Sequence, residues 1–147
     1  MGADVAGAAG GASAAVAADF ARRWKAWAAD HDPAGAAAFF AGDATLMSPA
    51  FWGPKQSKDY AVAVVCNALA VFENFRYVDE WIGDSGVILL FEADVGGHRL
   101  RGVDRFRLNA DGLVTELEIM IRPLNALAEV AGRMKQRFAA QAGPTAG

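Results

Sequence analysis

One carboxylate stands out against the pattern around it. Asp104 lies in the segment Leu100-Arg101-Gly102-Val103-Asp104-Arg105-Phe106-Arg107-Leu108. The alternation that a strand imposes puts Leu100, Gly102, Asp104, Phe106 and Leu108 on one face. Arg101, Val103, Arg105 and Arg107 fall on the other. The arginine face is the wetter one, so the apolar face points inward and takes Asp104 with it. An inward carboxylate is costly unless it is paired, hydrogen-bonded or protonated. Such a group can donate a hydrogen bond to a carbonyl or shuttle a proton. The competing role is structural: an acid paired with an arginine, or one turned outward by a bulge.

The remaining polar residues are less pointed. No histidines or acids have metal-ligand spacing, so neither a metal nor another cofactor is expected. His31, in Asp30-His31-Asp32, suits a cap or the surface, and His98 beside Gly97 suits solvent. Cys66 is the single cysteine and sits in an apolar run. With no cation or helix start beside it, it reads as a structural thiol. Arg99, Arg101, Arg105 and Arg107 form the one basic stripe. Glu116 and Glu118 on the next strand should face it as a cross-strand charge ladder. With a net charge of -3, this leaves no nucleic-acid surface. Arg122 shares the outer face with Glu118 and Met120. There it fits a salt bridge in a dimer interface, or an anion clamp at a pocket rim.

These residues need elements to position them. Ala14 to about Asp30 reads as a helix, with Val16, Phe20, Trp24 and Trp27 at helical spacings. Asp32-Pro33 reads as the cap and first position of a short second helix through Phe39 and Phe40, ended by Gly42 and Asp43. Ala44 to Pro49 is a short strand. Phe51-Trp52-Gly53-Pro54 is a loop whose aromatics suit a pocket lid or a dimer contact. Lys58 to Phe72 is a third helix, with Val62, Val65, Cys66 and Leu69 on one stripe. Strands follow at Phe75 to Ile82, Val87 to Val95, Arg99 to Leu108 and Leu113 to Ile121. Turns at Gly83-Asp84-Ser85-Gly86, Gly96-Gly97 and Asn109-Ala110-Asp111-Gly112 join them. Leu124 to Phe138 is a last helix. Helices before a run of antiparallel strands give an α+β layout, with the helices on one face of the sheet.

The chain of 147 residues, 54% hydrophobic, suits a single core. The Ala/Gly-rich stretch 1–13 reads as a disordered tail, 14–140 as the domain and 141–147 as a flexible tail. Gly2 to Ala18 makes a poor signal peptide, and no run is apolar enough to span a bilayer. A cytoplasmic protein without membrane or nucleic-acid partners is expected.

From Val16 to Met134 the pattern resembles the nuclear-transport-factor-2-like (NTF2-like) superfamily, closest to its steroid Δ-isomerase and SnoaL-like polyketide cyclase branches. Ala44-Thr45-Leu46-Met47-Ser48-Pro49, the helix after it, and Gly102 to Leu108 followed by Ala110-Asp111-Gly112 carry the resemblance. It implies a cystatin-like cone: a curved, mostly antiparallel sheet wrapped around N-terminal helices, with an apolar pocket inside and dimers through the outer sheet face. Ketosteroid isomerases use an aspartate base, with a tyrosine and a protonated aspartic acid that stabilise an oxyanion. Asp104 falls at the position of that acid. Ser48 replaces the base and Trp24 the tyrosine; indole can still donate, whereas serine is no base near neutral pH. Polyketide cyclases keep an acid on the same strand with a histidine on the strand before, which is lacking here. Limonene-epoxide hydrolases need an Asp-Arg-Asp set that this chain does not carry. The resemblance implies a small apolar carbonyl ligand, steroid-like or polyketide-like. Asp104 would be the acid or base of a cofactor-free isomerase or cyclase, and Trp24, Ser48, Trp52, Phe91, Phe106, Leu117 and Ile119 would contact the ligand. The alternatives are a ligand-binding protein without catalysis, or a protein-interaction module of the same fold.

Overall fold

The computed structural model describes residues 10–30 and 32–143. The role expected of His31 and most of the expected N-terminal tail lie outside those residues. Helix α1 is Ala14–Asp30, followed by a 3-10 helix, Pro33–Phe39. Strands β1 (Phe40–Met47) and β2 (Lys55–Gln56) come next, then helix α2 (Lys58–Val71). Strands β3 (Glu73–Gly83), β4 (Gly86–Val95), β5 (His98–Leu108) and β6 (Val114–Arg122) lead to helix α3 (Leu124–Ala142). The six strands form one sheet in the order β2-β1-β6-β5-β4-β3. Its pairs are antiparallel except β1 with β6, which run parallel. This is the α+β layout expected.

Each boundary has a local cause. Ser13 and Ser57 place hydroxyls on the first free amides of α1 and α2, those of Val16 and Tyr60. Asp32 caps the 3-10 helix through the Ala34 amide, and Pro33 supplies its first position. Gly96 and Gly97 adopt positive φ at the β4-β5 turn. The Asn109 side chain accepts the amides of Asp111 and Leu113 and so closes the β5-β6 turn.

Three local expectations are corrected. Residues 10–13 are not a loose tail: Ala12 is buried, and its carbonyl accepts the Ser85 amide at 2.7 Å. The second helix ends one residue earlier than expected, and β1 runs straight through Gly42 and Asp43 with a register shift between Phe40 and Thr45. Residues 141 and 142, placed in the C-terminal tail, are the last turn of α3.

The inner faces of β4, β5 and β6 supply one wall of the core, with Leu89, Phe106 and Leu117 fully buried. Helix α1 supplies the other. Phe20 and Trp24 stack with each other and set their rings edge-on to Phe106, at 4.9 and 4.8 Å between centroids. On the outer face Arg105 pairs with Glu116 and Glu118, and Glu92 takes Arg76 and Arg101. The expected charge ladder therefore forms around Arg105. Among the described residues no helix is long and apolar enough to cross a membrane.

Candidate functional site

Between α2, α3 and the inner sheet face lies a cavity of about 580 Å³. Its walls are almost wholly apolar. Val64, Val65 and Leu69 come from α2, and Leu127, Val130 and Met134 from α3. Residue pairs three or four apart, such as Val65 and Leu69 or Leu127 and Val130, put one stripe of each helix against the space. The sheet contributes Phe75 and Tyr77 from β3, Phe91 from β4, Asp104 from β5 and Ile119 and Ile121 from β6. These align because Phe91 pairs with Gly102 and Asp104 with Ile119. Gly102 permits the geometry: a Cβ there would meet the Phe91 ring at 2.3 Å and the Met120 carbonyl at 2.6 Å.

At the deep end three polar side chains form a chain. The Trp24 indole N–H donates to the Tyr77 hydroxyl at 2.8 Å. That hydroxyl donates to Asp104 Oδ2 at 2.6 Å. Asp104 Oδ1 has no hydrogen-bond partner among the described residues, and Asp104 lines the cavity. Burial pushes the Asp104 carboxyl up to about 7, against the opposing pull of the Tyr77 hydrogen bond. Tyr77 is held well above its ordinary range by burial and by the negative charge of Asp104. Near neutral pH the carboxyl is thus poised between proton donor and proton acceptor. Among the described residues no arginine pairs with it, and β5 does not bulge it outward: Asp104 is 8% exposed and keeps the inward parity.

The residues proposed from sequence divide. Trp24, Ser48, Phe91, Asp104 and Ile119 line the cavity. The Trp24 N–H is spent on Tyr77, so it acts on the site through that residue rather than as a free donor. Ser48 accepts the Ala50 amide at 3.0 Å, the local backbone role that a serine before proline suggests. Phe106 and Leu117 do not reach the space; they are sealed in the core at 1% and 0% exposure, Phe106 against Phe20 and Trp24 of α1. Trp52 points to solvent at 97% exposure, and its neighbour Phe51 reaches the cavity edge instead. Arg122 does not sit at this rim. It lines a separate polar cleft of about 320 Å³ with Arg76, Glu92, Arg99 and Arg101. Cys66 is half-buried, and burial pushes its thiol up, away from the reactive thiolate.

Tyr77 was not anticipated. Its strand alternates poorly, because a register shift between Tyr77 and Asp79 breaks the parity. A usable signal was present nonetheless: the chain has two tyrosines, Tyr60 and Tyr77, and both line the cavity.

No protein-family model matches this sequence, and no curated protein sequence matches it. Solved structures do. A steroid Δ-isomerase from Pseudomonas aeruginosa shares 29% identity over 88% of this chain and 96% of its own, with a TM-score of 0.84. A protein with a cystatin-like fold from Silicibacter pomeroyi shares 27% identity over 84% of this chain and 87% of its own, with a TM-score of 0.80. An NTF2-like protein of unknown function from Mesorhizobium loti shares 16% identity over 75% of this chain and 93% of its own, with a TM-score of 0.66. The chain has the NTF2-like, ketosteroid-isomerase-like fold, with N-terminal helices and a six-strand, mostly antiparallel sheet.

Proposed function

We propose that this NTF2-like chain binds a small apolar carbonyl compound, steroid-like or polyketide-like, and moves a proton on it through Asp104 without a cofactor. The observation that carries the reading is the state of Asp104. Among the described residues it is the one carboxylate lining this apolar cavity, poised near neutrality, with one oxygen held by Tyr77 and the other facing the space. The similarity to the P. aeruginosa steroid Δ-isomerase supports the ligand class.

The chemistry follows from the two protonation states. As carboxylate, Asp104 removes a proton from the carbon beside the ligand carbonyl. The C–H electron pair moves into the enolate, and the proton rests on the Asp104 oxygen. As carboxylic acid, Asp104 returns that proton to carbon or donates to the oxygen. One group thereby plays in turn the roles that two acids divide elsewhere. Tyr77 holds Oδ2 and aims Oδ1, while Trp24 holds Tyr77. We further propose a cytoplasmic homodimer paired through the outer sheet face, each subunit a single domain that includes the packed residues 10–13.

The test uses a panel of steroid and aryl ketones in deuterated water. The expected result is enzyme-dependent exchange of the α-hydrogens, seen by proton NMR, and its loss in Asp104→Asn. Ser48 stands where the resemblance implies a separate base and cannot serve as one, which favours a second reading: capture without chemistry. Tight ketone binding with no exchange in the wild type would establish that second reading.

A further inference from the structure

The cavity is polar at its deep end and charged at its mouth. The deep residues are Trp24, Phe91 and Asp104, at 2%, 1% and 8% exposure. The mouth is marked by exposed lining residues: Phe51 at 72%, and Lys135 on α3. The aromatic pair Tyr60 and Phe138, stacked at 6.2 Å between centroids, bridges α2 and α3 beside it. The Lys55 ammonium lies 4.3 Å from the centre of the Tyr60 ring. Among the described residues Lys135, exposed, is the only cation lining the cavity, and Asp104, buried, the only carboxylate. The ion pairs among the described residues do not engage either lysine.

Resting on the proposed function, we infer that the ligand is an apolar keto acid, with its carbonyl at Asp104 and a carboxylate at the mouth between Lys55 and Lys135. A cavity of about 580 Å³ holds a molecule of steroid size. A carboxylate at its deep end would meet the Asp104 charge in an apolar wall. At the mouth the same group keeps much of its hydration and meets two ammonium groups. Charge thus fixes which end enters first, and the ketone is delivered to Asp104.

The experiment compares 3-oxoandrost-4-ene-17β-carboxylic acid with its methyl ester. They share the ring system and the ketone, and differ only in the charge at the far end. Dissociation constants are measured by Trp fluorescence on the wild type, Lys135→Met and Lys55→Met/Lys135→Met. The expected result is an acid bound about fivefold more tightly than the ester, the upper end of what exposed ion pairs allow. That preference shrinks in Lys135→Met, vanishes in the double variant, and weakens with added salt in the wild type. Equal binding of acid and ester by the wild type, or a preference that survives in the double variant, overturns the inference and leaves the proposed function standing. Binding of neither compound, nor of any ketone in the panel above, overturns both.

Discussion

Asp104 holds its proton because its surroundings cannot solvate a charge. Rings and aliphatic chains enclose it, and the single Tyr77 hydrogen bond offsets only part of the cost. The folded chain therefore binds a proton at a pH where the unfolded chain has released it. Between the ordinary value of 3.8 and about 7 the folded state carries one more proton, so stability falls as pH rises through that window and levels off above it. Asp104→Asn removes the titration. It is expected to flatten this slope and to be more stable than the wild type near pH 8 by roughly 2–4 kcal/mol. Urea denaturation at two pH values, one near 5 and one near 8, reads it. Equal pH slopes for both proteins would show that Asp104 is not buried as described. The acid was legible from sequence because the arginines of β5 mark the opposite face so clearly. Its partner Tyr77 was not, because a hydrogen bond across strands leaves no trace in local spacing.

At the scale of elements, α3 is what closes the cavity, and Asn67 ties it down. Asn67 is buried on α2, at 3% exposure. Its carboxamide oxygen accepts from Arg137 and Gln141, and its amide donates to Gln141 and to the Ala63 carbonyl. Three of these four hydrogen bonds cross the α2-α3 contact. Asn67→Ala removes the hydrogen bonds to Arg137 and Gln141 of α3, whose side chains solvent can reach, and is expected to cost about 1 kcal/mol. Amide exchange should rise through Leu124–Ala142 and remain unchanged in β4 and β5; a uniform rise would refute a local tie. The strands β4 and β5, and β6 from Leu117 on, were readable because one face of each is buried and the other is wet, so the side chains alternate. The loss of that regularity explains the misread elements. The register shift in β1 hid its first residues behind an apparent helix end, and the two-residue strand β2 is too short to leave a pattern.

For the whole molecule, the outer sheet face bears on assembly. Trp81, Ile88, Arg105 and Glu118 lie in one cross-strand row, and Leu90, Val103 and Met120 in the next. Trp81 and Met120 are 53% and 48% exposed. An apolar strip rimmed by ion pairs suits an isologous contact between two copies. Sedimentation at micromolar concentration is expected to show a dimer that Met120→Lys dissociates, while a monomeric wild type would refute the contact. The α+β architecture was legible in the sequence because helices and strands segregate along the chain. Only the folded molecule shows which inward residues face a space and which face each other: Phe91 and Ile119 border the cavity, whereas Phe106 and Leu117 are sealed in the core. The central claim is that this cavity receives a carbonyl group at a carboxyl poised near neutrality. The most direct measurement is the dissociation constant of an apolar ketone from about pH 5 to about pH 9, for the wild type and Asp104→Asn. Wild-type affinity should fall as pH rises through about 7, where the Asp104 donor proton is lost, and the variant, whose amide keeps its hydrogens, should bind evenly across the range. A ketone that binds at no pH, or one whose affinity follows the same profile in both proteins, would contradict the account.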